Sequence, residues 1–143
     1  MAKLTLEQAS IILDATLAKG KELGLSPLTV AVLDDGGHLK AFKREDGPGA
    51  AMRPHVAYGK AYGAVGMGRS SRMLAGMAEE RPHFAAALVG ASDGRFIPVP
   101  GGVLIKDSSG EVIGSVGVSG DTSDNDEAAG AAGIEAAGLV PGI

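Results

Sequence analysis

The chain has no cysteine and no tryptophan. Without cysteine there is no disulfide framework, no thiolate nucleophile and no Cys-ligated zinc or iron–sulfur site. Aromatics are scarce: Phe42, Phe84, Phe96, Tyr58 and Tyr62 are too few and too scattered for a base-stacking platform. The net charge of −4 also lacks the basic footprint of a nucleic-acid binder. No apolar run approaches the roughly 18 residues that cross a bilayer, so no membrane partner is expected. The start, Met1-Ala2-Lys3-Leu4-Thr5, has no apolar signal core, and the expected location is the cytoplasm. Basic residues stop at Lys106. From Asp107 onward there are seven acids and no base, whereas residues 38–72 carry seven Lys/Arg against two acids. This fits two solvated faces of opposite sign, an anion-attracting rim around the middle helix, or complementary patches between subunits.

Glycine is abundant: 23 in 143 residues, about twice the usual share. The glycines sit inside apolar patterns, not in a linker, which points to tight packing, bulges and turns. With no internal repeat and no composition break, the chain reads as one domain over residues 1–143. That length buries about two-thirds of the surface its unfolded chain would expose.

A first helix is predicted from Thr5 to about Leu23. Thr5 is its N-cap, Gln8 completes a capping box, and Gly24 ends it. Leu28 to Leu33 is a strand too continuously apolar to lie at a sheet edge. Asp34-Asp35-Gly36-Gly37 turns it into His38–Lys43, where Leu39, Ala41 and Lys43 alternate against His38, Lys40 and Phe42. A second helix starts near Met52 to Pro54 and runs to about Met67. Gly59, Gly63 and Gly66 within it cost roughly 1 kcal/mol each relative to alanine, so a neighbouring helix or a ligand plane must compensate. Ser70 or Ser71 caps a helix over Arg72–Ala78, and Pro82 opens another through Leu88. Gly90–Pro100 reads as irregular. Gly102–Lys106 and Glu111–Val118 form a second hairpin. Thr122 or Ser123 caps a last helix, with Asp124, Asp126 and Glu127 in its first turn, where the dipole favours acids. Hairpins alternating with helices give an antiparallel sheet and an α+β fold.

The segment Gly114-Ser115-Val116-Gly117-Val118-Ser119-Gly120 lacks the Lys-Ser/Thr of a phosphate loop and the spacing of a dinucleotide fingerprint. Its glycines fit strand packing and a turn, although the helix start beyond Gly120 offers backbone N–H groups to a carboxylate or carbonyl. His38 follows the hairpin glycines and reads as a solvated imidazole or a ligand. His55 shares a helix line with Gly59, Tyr62 and Gly66, which suits helix packing or a cradle for a flat ligand. His83 beside Pro82 reads as surface. Lys60 shares a face with Ala57, Ala64 and Met67, and so is partly buried. It could pair with Asp121 or Asp126, hold a carboxylated ligand, or act as a catalytic amine. Arg69 and Arg72 could bind anions or a neighbouring subunit. Met52, Met67, Met73 and Met77 read mostly as core.

In order along the chain, Leu4-Thr5-Leu6-Glu7-Gln8-Ala9, Val30–Leu39 with its Asp-Asp-Gly-Gly-His turn, Gly59-Lys60-Ala61, Pro98–Val103, and Ile113–Gly120 with Asp126-Glu127 resemble the GlcG/HbpS-like heme-binding family. The resemblance implies a profilin-like α+β fold with a five-stranded antiparallel sheet flanked by helices. It also implies homo-oligomers built from dimers, and heme as a cofactor that is bound or degraded. His38, after the family's turn, is the implied candidate iron ligand, with His55 as the other imidazole. Some members sit in operons for small organic acids. The second candidate function is therefore a binder or enzyme for a small carboxylated metabolite. Its pocket would lie between Lys60, Arg72, the loop carrying Pro100, Gly101 and Gly102, and the Ser119-Gly120-Asp121 turn. Lys60 would neutralise the carboxylate, with Asp121 or Asp126 as general base. The third candidate is a non-catalytic assembly protein whose glycines serve subunit packing.

Overall fold

The computed structural model describes residues 3–143. Met1 and Ala2 lie outside the described residues. In chain order the elements are α1 (Leu6–Glu22), β1 (Thr29–Asp34), β2 (Leu39–Arg44), α2 (Arg53–Met67), α3 (Ser71–Glu80), α4 (Pro82–Ala91), β3 (Gly102–Lys106), β4 (Val112–Ser119), α5 (Ser123–Ala136) and β5 (Val140–Gly142). Every strand pairing is antiparallel, in the order β2-β1-β4-β3-β5. α1 and α5 cover one face of the sheet and α2 the other. This is the α+β arrangement implied by the resemblance.

The predicted caps form. Thr5 Oγ1 accepts from Gln8 N and Gln8 Oε1 accepts from Thr5 N, both at 3.0 Å. Ser70 caps α3 by accepting from Met73 N. Ser71 instead enters the core and accepts from Gly102 N at 2.6 Å.

The larger core lies under α1 and α5, where Ile12, Leu13 and Ile134 meet Val30, Val32, Val116, Val118, Val103 and Ile105. Burying each such side chain contributes about 1.5–3 kcal/mol. On the opposite face, β1 and β4 present small residues, and α2 answers with Ala57, Ala61 and Ala64, all without exposure. Helix and sheet therefore approach closely. A second cluster joins Leu74, Ala85 and Phe96 with Met67, Met77 and Leu88. Met52 and Met73 are exposed and do not join the core as expected.

Two of the α2 glycines face the segment that precedes β3. Ile97 occupies the space at Gly59 and Phe96 the space at Gly63, while Gly66 faces open space. The irregular segment before β3 thus provides the missing volume itself. In α3, a Cβ on Gly76 would meet nothing within 4 Å. Gly76→Ala is therefore expected to stabilise the protein by about 1 kcal/mol through helix propensity alone, seen as a raised thermal midpoint.

One irregularity in β2 shapes the surface. Val32 pairs with Ala41 but Leu33 pairs with Leu39, leaving Lys40 as a bulge residue. Unbroken alternation puts Leu39 with Ala41. The bulge instead puts Leu39 with Phe42, because each now lies opposite a residue of the α2-facing set, Leu33 and Ala31. Two apolar side chains are thereby left half-exposed beside α2.

Candidate functional site

An apolar opening lies beside this bulge. Leu39 and Phe42 from β2, Pro54, His55 and Tyr58 from the start of α2, and Asp93, Gly94 and Arg95 after α4 line a cleft of about 420 Å³. Proline in the first turn of α2 costs no hydrogen bond, since that N–H would be unpaired anyway. It also places His55 on the exposed side of the helix entry. Tyr58 and Tyr62, one turn apart, stack with centroids 5.8 Å apart and planes at 18°. Tyr58 donates its hydroxyl hydrogen to Gly37 O at 3.3 Å, tying the β1–β2 turn to α2. The Arg95 guanidinium lies over Tyr62, 4.3 Å from the ring centroid.

His38 sits apart from this cleft, in a polar hollow with Lys3, Asp34, Asp35 and Lys40. Its side chain is 81% exposed, and Nδ1 lies 3.1 Å from Asp34 Oδ1. That carboxylate also accepts from Gly36 N and His38 N, and these contacts outweigh its burial to hold Asp34 below the usual carboxylate range. A carboxylate on one ring nitrogen orients an imidazole and leaves the other nitrogen available to a metal. Among the described residues no three His, Asp or Glu side chains form a metal cluster.

Lys60 is built differently. It is buried with Asp126, their side chains 3% and 2% exposed and Nζ 3.2 Å from Oδ2. Nζ also donates to Val118 O at 2.9 Å. Asp126 Oδ1 accepts from Asp121 N at 2.9 Å. The Asp121 N–H, in the turn into α5, is thus taken by a carboxylate of the protein's own, and Asn125 N by the Thr122 cap. Burial pushes Lys60 down and Asp126 up, and their mutual attraction opposes both shifts.

The expected pocket around Lys60 is filled. A Cβ on Gly101 would lie 2.7 Å from Lys60 Nζ, and one on Gly102 would overlap the Lys60 carbonyl oxygen. Gly101, at φ +124°, is the residue type that lets this loop close on the lysine. Pro100 is half-buried in the same loop, Ser119 ends β4 buried, and Gly120 packs against the Pro27 carbonyl. Arg72 is engaged by Glu127, with Nε 2.9 Å from Oε2, and by Asp124, and these bonds raise its pKa. Asp121 accepts from Asn125 Nδ2, Ser26 N and Thr122 N, which lower it to about 2 and leave it a poor base at neutral pH. The Gly101–Gly102 loop therefore closes on Lys60 itself, while Arg72, its side chain 45% exposed, and Asp121 are held outside it by partners of their own.

Of the residues expected to bind ligand, His55, His38 and Arg72 are exposed, and Arg72 is already engaged by Glu127 and Asp124. Arg95, Phe42 and Tyr58 were not singled out in the sequence. A Tyr-x-x-x-Tyr pair on a helix carrying His55 was the available signal. Arg95 gave none, lying in a stretch without periodicity.

The sheet order and the helices on both faces define a small α+β protein with an apolar cleft between β2 and α2. The family follows from the comparisons: residues 4–135 match the model of the haem-degrading, HbpS-like proteins, and the chain belongs to that family. Among solved structures, a PduOC:heme complex is similar at 22% identity and TM-score 0.84, over 99% of this chain and 100% of that one. HbpS is similar at 26% identity and TM-score 0.80, over 94% and 90%. The Klebsiella pneumoniae protein ORFY is similar at 21% identity and TM-score 0.82, over 96% and 93%. No curated protein matches the chain in sequence. Among the described residues no helix is long and apolar enough to cross a membrane.

Proposed function

We propose that this protein binds heme in the cleft between β2 and α2. The observation that carries the reading is the His55 imidazole beside the apolar surfaces of Leu39, Phe42, Pro54 and Tyr58, with the Arg95 guanidinium at the same opening. A porphyrin needs an apolar slot, an axial nitrogen and a cation for its propionates, and these residues are of those three kinds. His55 would hold the iron and Arg95 a propionate. Bound there, heme would supply its own redox chemistry, while the protein's part is to orient it and exclude water from its apolar face. His38 is the second candidate ligand, favoured by its contact with Asp34.

Family membership and the heme complex of one structural neighbour, PduOC, support the reading. We also propose a dimer-built homo-oligomer in the cytoplasm. The unpaired outer edge of β2 and the half-exposed Leu39 and Phe42 support self-association, and light scattering would measure it.

Heme titration followed in the Soret region tests the reading. The expected result is a saturable band that Phe42→Asp and His55→Ala each weaken and His38→Ala leaves in place. If only His38→Ala removes the band, the ligand is His38. The absence of any saturable band would sink heme binding altogether. Adding ascorbate in air tests degradation: loss of the band faster than for free heme would extend the reading from binding to turnover.

A further inference from the structure

A second cleft, of about 210 Å³, opens between α2 and α4, behind the Tyr58–Tyr62 stack. Its walls are largely apolar: Gly63, Gly66, Met67, Leu88, Ala91 and Phe96. Arg95 is the one charged residue in its lining. It enters no ion pair among the described residues, although six other Lys and Arg side chains do.

Arg95 is nonetheless held in place. Nε donates to Ser92 O at 2.8 Å, and the guanidinium plane rests on Tyr62. These two contacts fix the orientation of the group while leaving its terminal nitrogens without a protein partner among the described residues. A guanidinium held this way loses little freedom when a carboxylate docks on its fork. The lone cation matches a single negative charge. The apolar walls match a body the size of one ring, and Gly66 provides room because a Cβ there would meet nothing within 4 Å.

We propose that this cleft is a binding site for a small apolar monocarboxylate, its carboxylate on Arg95 and its apolar body between Met67, Leu88 and Phe96. Dianions such as phosphate esters fit poorly, since one arginine leaves a charge unpaired against apolar walls. The site does not depend on heme, although Arg95 borders both clefts.

The test uses the full heme-free protein with benzoate as probe, followed by calorimetry and by chemical shifts of the Tyr62 and Phe96 rings. Saturable binding is expected, with shifts at both rings. Benzyl alcohol, which keeps the ring and removes the charge, should bind about tenfold more weakly, as should benzoate to Arg95→Gln. Gly66→Leu, which fills the cleft and favours the helix, should abolish binding while leaving Arg95 intact. No saturable binding, equal binding of benzyl alcohol, or unchanged binding in Gly66→Leu would each overturn the proposal. Should Arg95→Gln fail to fold, the alcohol comparison and Gly66→Leu decide alone. Because no heme is present, a negative result leaves the Soret titration to judge the other cleft separately.

Discussion

Lys60→Met is expected to lower the unfolding free energy by about 3–5 kcal/mol, because it leaves the Asp126 carboxylate buried without its cation. The loss is much larger than that of a surface pair, which contributes about 0–1 kcal/mol. Adding Asp126→Asn should recover part of it. Asparagine removes the stranded charge and can still accept from Asp121 N, whereas the Val118 carbonyl stays without Nζ in either case. The pH dependence has a definite sign. Burial already raises Asp126 above 3.8, and without Lys60 it would rise further. A carboxyl whose folded pKa exceeds its unfolded one favours the folded state increasingly as pH falls through the folded value. The deficit of Lys60→Met should therefore shrink as pH falls from neutral toward 3.8, and that of the double variant should not follow it. Urea unfolding of the three proteins across that window makes the measurement. A deficit below about 1 kcal/mol at neutral pH would mean that Lys60 is solvated and not a structural ion pair.

That junction was only half legible in the chain. The helical face Ala57-Lys60-Ala64 showed that Lys60 turns inward, and the acids near residue 121 showed that a partner was in reach. Choosing between Asp121 and Asp126 needed the turn geometry: Asp121 points back to Ser26 and Asn125, and Asp126 points under the sheet to Lys60. The caps at Thr5 and Ser70 and both hairpins were readable because they are local, set by side chains within a few residues of one another. β5 was not. Val140-Pro141-Gly142 has no period and little strand preference, and it becomes a strand only by pairing with β3, more than thirty residues away. The cleft was hidden for a related reason. Alternation in β2 separates Leu39 from Phe42, and only the bulge at Lys40 turns both toward α2. The bulge is imposed by pairing with β1, so no window within residues 38–44 contains it.

Gly117→Val should disrupt the fold more severely than any other single glycine substitution in the sheet. Gly117 lies in β4 between β1 and β3, opposite Ala31 on one side and Gly102 on the other. A Cβ there would overlap the Ala57 carbonyl oxygen and stand 2.9 Å from the Ala61 Cβ. These are parts of the α2 backbone and of a residue with no rotamer to change, so no side chain can swing aside. The helix would have to lift from the sheet, loosening Ala57, Ala61 and the Ser115 Oγ bond to Ala61 O. Overpacking a core that can adjust costs about 1–3 kcal/mol. Here the obstacle is main chain, and the expected cost is at or above the top of that range, about 3 kcal/mol or more. Gly117→Ala should lose less than Gly117→Val yet still be destabilised, in contrast to the gain expected at Gly76, where the same added methyl meets open space. The His55 cleft offers an independent readout. Its Pro54, His55 and Tyr58 ride on the same helix, so a lifted α2 should weaken heme retention in any Gly117 variant that still folds. A Gly117→Ala protein with unchanged stability would mean that α2 rests farther from β4 than this packing requires.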